Sequence, residues 1–101
     1  METKFTKGDW KTTIAELKDF FLCAVGSVET KRVICHTNLD PKMTSEECKA
    51  NANLISAAPD MFNALKDLYD DREVWSDLFE SQQEFICRVL NKATDSSFFQ
   101  H

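Results

Sequence analysis

Six side chains could act as nucleophiles, general bases or soft metal ligands: Cys23, Cys35, Cys48 and Cys87, with His36 and His101. A structural zinc site draws its ligands from short paired spacings. The cysteines instead lie 12, 13 and 39 positions apart, and the neighbours Cys35 and His36 would point to opposite faces of a strand. Spacing thus argues against a metal centre. Nucleophilic catalysis needs a cysteine or serine beside a base. His36 falls in an expected strand and His101 in an expected tail, so no pair has both the spacing and the context for chemistry. With two glycines, no Gly-rich loop and no P-loop lysine, a nucleoside-triphosphate fold is excluded as well. The chain reads as a non-enzyme with no catalytic residue, no metal and no cofactor, its cysteines free thiols that behave as small apolar groups.

Binding chemistry suits the polar residues better. Asn51 and Asn53 offer amide donors and acceptors near the start of an expected helix, and Lys31, Arg32, Arg72 and Arg88 are cations that a folded assembly could bring to one anionic ligand. The alternative stays open: the asparagines cap or solvate the helix and the arginines pair with nearby carboxylates. Trp10 and Trp75 are of a type found more often in a core or interface than as a ligand platform. On chemistry and placement, the candidate ligand-binding residues are Asn51, Asn53, Arg72 and Trp75. A second surface is acidic: Asp67, Asp70, Asp71, Glu73, Asp77, Glu80 and Glu84 could line a helix face that imitates a row of phosphates.

Charge supports that division. Residues 1–59 carry 8 acidic and 8 basic side chains, residues 60–101 carry 9 and 4, so the net charge of −5 comes from the second half. Such a half repels a phosphate backbone, and direct nucleic-acid binding is not expected. The first eight residues hold charges with no apolar run behind them, and no stretch approaches a membrane span, so a cytoplasmic protein is expected.

The elements that must position these residues are legible in part. At 101 residues the chain reads as one domain, with a β-rich part over 1–40, a helical part over 44–92 and a tail over 94–101. Turn signals at Gly8-Asp9, Gly26-Ser27 and Asn38-Leu39-Asp40-Pro41 cut the first forty residues into short pieces. Trp10–Ala15, Phe20–Val25 and Thr30–Thr37 read as a meander of three antiparallel strands. A competing helix over Thr13–Cys23 stays open, because Thr13 and Glu16 make a capping box and Ile14, Leu17, Phe20 and Phe21 recur at helical spacing. Thr44 and Glu47 form a second capping box ahead of an expected helix from Ser45 to Ala57, with a break at Ala58-Pro59. Beyond it, Met61, Leu65, Leu68, Arg72, Trp75, Phe79, Gln82, Ile86 and Val89 follow at steps of three and four. One straight helix over Asp60–Lys92 would be about 50 Å long, which predicts either a break near Asp70-Asp71, capped by Asp70 and Glu73, or burial against another subunit. The tail is expected to fray, although Phe98 and Phe99 could dock. The fold class is α+β: a short N-terminal antiparallel meander, then two or three helices, assembled as an oligomer.

The segment Asn51-Ala52-Asn53-Leu54-Ile55-Ser56-Ala57-Ala58-Pro59-Asp60-Met61, with Asn63-Ala64-Leu65, resembles one found in many small bacteriophage and prophage proteins, as does the Phe5-Thr6-Lys7-Gly8-Asp9-Trp10 opening. Those proteins typically read Ala-Asn-Ala-Arg-Leu-Ile-Ala-Ala-Ala-Pro, so Asn53 stands where they carry arginine. The resemblance covers about half of the chain and implies a short sheet followed by helices. A branch of similar plan is the Thoeris anti-defence sponge family, which assembles and traps cyclic nucleotide-like messengers without cleaving them. Membership would imply a pocket between subunits. The function expected from the resemblance is a phage-encoded, non-enzymatic protein that counters bacterial immunity by sequestering a cyclic nucleotide-type signal. The alternative is an acidic inhibitor, anti-CRISPR-like or a host-takeover protein, that blocks a host complex through its helical face.

Overall fold

The computed structural model describes residues 3–101, as two compact units. The first, Phe5–Pro59, holds strands β1 (Trp10–Leu17), β2 (Phe20–Ser27) and β3 (Val33–His36) and helix α1 (Ser45–Ser56). The strands pair antiparallel in the order β1-β2-β3, so the meander forms as expected. Residues 13–23 form the end of β1, a turn at residues 18–19 and the start of β2 rather than a helix. β-branched Thr12, Thr13 and Ile14 suit a pleated surface, and β2 supplies the matching partner from Ser27 opposite Trp10 to Phe20 opposite Leu17. The Thr13–Glu16 box gives way to other pairing, with the Glu16 carboxylate 3.2 Å from Lys49 Nζ on α1.

β3 carries one extra residue. Ala24 pairs with His36, Val25 with Cys35 and Gly26 with Val33, leaving Ile34 as a bulge. Ile34 and Cys35 therefore both pack on the core side, against Cys23, Val25, Cys48 and Ala52. By the same offset Val33 and His36 share the outer face of the sheet, although three positions separate them. α1 lies across β1 and β2, and the small Cys48 and Ala52, one turn apart, let it approach closely. Asn38 continues the β3 edge with its side chain: Oδ1 accepts from Cys23 N (3.2 Å) and Nδ2 donates to Phe21 O (2.8 Å). At the start of α1, Thr44 Oγ1 accepts from Glu47 N (3.1 Å), one half of the expected box. The Glu47 carboxylate faces the Thr44 hydroxyl instead of a backbone amide.

The helix breaks at Ala57, one residue before the expected point. α2 (Ala58–Asp70) begins there, with Pro59 in its first turn. The second unit holds most of α2 together with α3 (Arg72–Asp77) and α4 (Glu80–Thr94). A break does occur near Asp70-Asp71, with Asp71 as the capping residue: its carboxylate accepts from Val74 N at 3.3 Å. The expected Asp70–Glu73 cap is thus displaced by one residue. A further break at Leu78-Phe79 gives no Pro or Gly signal; there Gln82 Oε1 accepts from Phe79 N (3.0 Å). The expected apolar stripe is only partly buried. Met61 and Phe79, expected inside, are exposed, while Phe62, Trp75, Cys87, Leu90 and Phe99 are buried. The tail docks rather than frays. Asn91 takes both backbone groups of Phe99, Nδ2 to its carbonyl and Oδ1 from its amide, each at 2.9 Å. Tyr69 stands edge-on to both Phe99 and Trp75, with ring centres 5.1 Å apart in each pair.

Candidate functional site

Within the sheet-and-helix unit, the turn after β3 and the exposed side of α1 enclose a groove of about 360 Å³. Leu39, Met43, Leu54 and Ile55 form its apolar wall, and His36, Thr37, Asp40 and Asn51 bring polar groups to it. Leu39 and Leu54 are 78% and 61% exposed, so the wall faces solvent. An Asx turn, in which Asp40 Oδ1 accepts from Lys42 N (2.9 Å), shapes the loop between β3 and α1 that lines this groove. Asn51 Nδ2 lies 3.4 Å from Met43 Sδ, a weak contact that leaves most of the amide's hydrogen-bonding capacity open to a ligand. The groove thus combines an apolar wall with a few polar groups.

The other candidate residues are placed differently. Asn53 is exposed on α1, where its Oδ1 accepts from Thr12 Oγ1 (3.0 Å) and so ties the helix to β1. Arg72 is exposed at the start of α3, its guanidinium 4.8 Å from the Tyr69 ring centre. Trp75 is only 5% exposed; Gln83 Nε2 donates to its carbonyl (2.7 Å), and its ring packs on Tyr69. Asn51 and Asn53 thus belong to the first unit, Arg72 and Trp75 to the second.

Two other grooves involve the flagged cations. Lys31 and Arg32 come together with Lys11 in a notch of about 260 Å³ beside the β2–β3 turn. In the helical unit, Arg88 and His101 line a groove of about 570 Å³ with Cys87 and Phe99, and the Arg88 guanidinium sits 5.4 Å from the Phe85 ring centre. Burial pushes the Cys87 thiol up from its ordinary value, and the charge of Arg72 partly opposes this. Such a thiol is a poor nucleophile. All four cysteines are free, with Cys23, Cys48 and Cys87 buried. Among the described residues no group of three or more His, Cys, Asp or Glu side chains could hold a metal, and no helix is long and apolar enough to cross a membrane.

Two contributors, Lys11 and Asp40, were not singled out in the sequence, because they join these grooves only through strand register and turn geometry. His36 was noted there as a base or metal ligand, and the structure places it in the lining of the groove instead.

The family model described as Salmonella phage P22 protein Y8K6 matches residues 1–96. The chain belongs to that family. Its phage affiliation, expected from the alanine-asparagine helix and the N-terminal opening, therefore stands at the level of a small phage protein family. No curated protein and no solved structure matches the chain.

Proposed function

We propose that this phage protein is a non-enzymatic binding protein that counters bacterial immunity by capturing a small nucleotide-type signal in the groove between β3 and α1. One observation carries the reading: Asn51, chosen from sequence for its amide, lies in a groove whose other polar groups suit a heterocycle edge. An amide and a carboxylate can each pair with donors and acceptors on a base, and apolar side chains can cover its faces. The resemblance to messenger-trapping phage proteins supports the same class of ligand, and an assembly of several subunits goes with it. Large apolar side chains left exposed, Leu39, Leu54, Phe79 and Phe85 among them, support such an assembly.

The test is a thermal-shift screen of the purified protein against linear and cyclic mono-, di- and trinucleotides and cyclic ADP-ribose isomers. A ligand present at a hundredfold above its dissociation constant adds about 2.7 kcal/mol of stability. One compound should raise the midpoint, be recovered unchanged after heating, and lose its effect in Asn51→Ala. A flat response across the panel sinks this reading.

A second reading has its own observation. All seven acids named above, six on α2, α3 and α4 and Asp71 at the cap of α3, are exposed, which suits a surface that blocks a basic protein groove. Such a complex should weaken steeply as salt rises and should survive Asn51→Ala.

A further inference from the structure

We propose that the notch formed by Lys11, Lys31 and Arg32 beside the β2–β3 turn is a binding site for the phosphate group of a small molecule. The notch lies in the sheet-and-helix unit, away from the residues assigned to the groove, and the inference stands without the reading given above. Its charged lining is entirely cationic, in a chain whose net charge is −5. Among the described residues none of the three cations makes an ion pair. Glu29, the acid in the same turn, faces elsewhere: a Cβ built on Gly8 would lie 2.9 Å from Glu29 Oε2. An entering anion would meet positive charge from three sides with no carboxylate in the lining to displace.

The backbone builds this arrangement with some care. Ser27 N donates to Arg32 O (2.8 Å), Lys31 N donates to Ser27 O (2.9 Å), and Ser27 Oγ accepts from Thr30 N (3.2 Å). That closed turn holds Lys31 at φ 57°, a conformation uncommon for a lysine, and so fixes where its side chain starts. Lys11 stands opposite Gly26 in the β1–β2 register. Gly26 keeps the floor open, since a Cβ there would come 3.1 Å from the Arg32 carbonyl oxygen. Thr13, on the same face of β1 as Lys11, adds a hydroxyl donor, and exposed Val28 and Val33 flank the opening. Arginine can meet two phosphate oxygens at once while the lysines act as point charges. At about 260 Å³ the notch suits a phosphate with its first ester atoms rather than a whole drug-sized ligand.

The test is an amide NMR titration of the full chain with inorganic phosphate at fixed ionic strength, with chloride as the control, then with AMP and with a short single-stranded DNA. Phosphate and AMP should shift Lys11, Thr13, Lys31 and Arg32 saturably. The K11Q/K31N/R32Q variant should weaken both at least tenfold with its melting midpoint unchanged; asparagine at 31 is chosen because it tolerates the same backbone conformation. Should that variant fail to fold, R32Q alone should still weaken binding severalfold. Equal shifts with chloride, or binding that survives both sets of substitutions, would overturn the proposal. DNA binding far tighter than AMP would overturn it in favour of a polymer backbone. A nucleotide that shifts Asn51 but leaves Lys31 and Arg32 silent would overturn the notch while leaving the groove reading intact.

Discussion

The two compact units bury different things. Residues 5–59 build their core from small side chains, Cys23, Val25, Cys48 and Ala52, which a close approach of α1 to the sheet requires. Residues 60–101 bury three large rings, Phe62, Trp75 and Phe99, together with Cys87 and Leu90. Charge divides the same way, balanced in the first and acidic in the second. A small-residue core is sensitive to added volume, and a ring core to volume removed.

Trp75→Ala should break the ring core hardest, costing about 4 kcal/mol, seen as a fall in the denaturant midpoint. An unchanged midpoint would mean that Trp75 is not the keystone of the helical unit. Ala52→Leu tests the other side: forcing three extra carbons between α1 and β2 should cost about 2 kcal/mol, whereas tolerance would show slack in the helix–sheet contact. Asn91→Ala removes both hydrogen bonds to Phe99 and should cost about 1–2 kcal/mol, with fast hydrogen exchange at the Phe99 amide as its specific sign. Asp71→Ala and Thr44→Ala compare helix starts across the two units, each at about 1 kcal/mol; a much smaller loss for Asp71 would show that the break before α3 is held by packing instead. The smallest effect concerns Lys66, whose pKa is raised above 10.5 by its hydrogen bond to Asp70 Oδ2 at 2.8 Å, with desolvation opposing. The folded state favours the charged lysine, so the pair stabilises below pH 10.5 and the gain is lost as pH rises through the raised value. Asp70→Asn should lower that titration point when followed by side-chain NMR.

Much of the fold was legible because local signals agreed with each other. Gly8-Asp9 and Asn38–Pro41 bounded the sheet, although Gly26-Ser27, expected as a turn, ends β2 and the turn follows at residues 28–30; Thr44, Pro59 and the aspartates near 70 marked helix starts to within a residue. The break at Leu78-Phe79 was hidden because it depends on Gln82 reaching back to an amide, and glutamine at that spacing also fits an unbroken helix. Docking of the tail was only half visible: Phe98 and Phe99 were flagged, but Asn91 gave no hint that it would grip the backbone. Site residues were harder still. Asn51 could be picked for its chemistry alone, while Lys11 and Lys31 lie twenty positions apart and meet only once the strand register is known.

The β2–β3 register also works as a ruler. It puts Val33 of the notch and His36 of the groove on one line of the outer sheet face. Two steps of β2, from Gly26 to Ala24, separate their partners, so at about 3.3 Å per residue their backbones stand roughly 7 Å apart. Any single molecule that used both places would have to bridge that distance, and deleting Ile34 would keep it, since Val33 would still stand opposite Gly26 and His36 opposite Ala24.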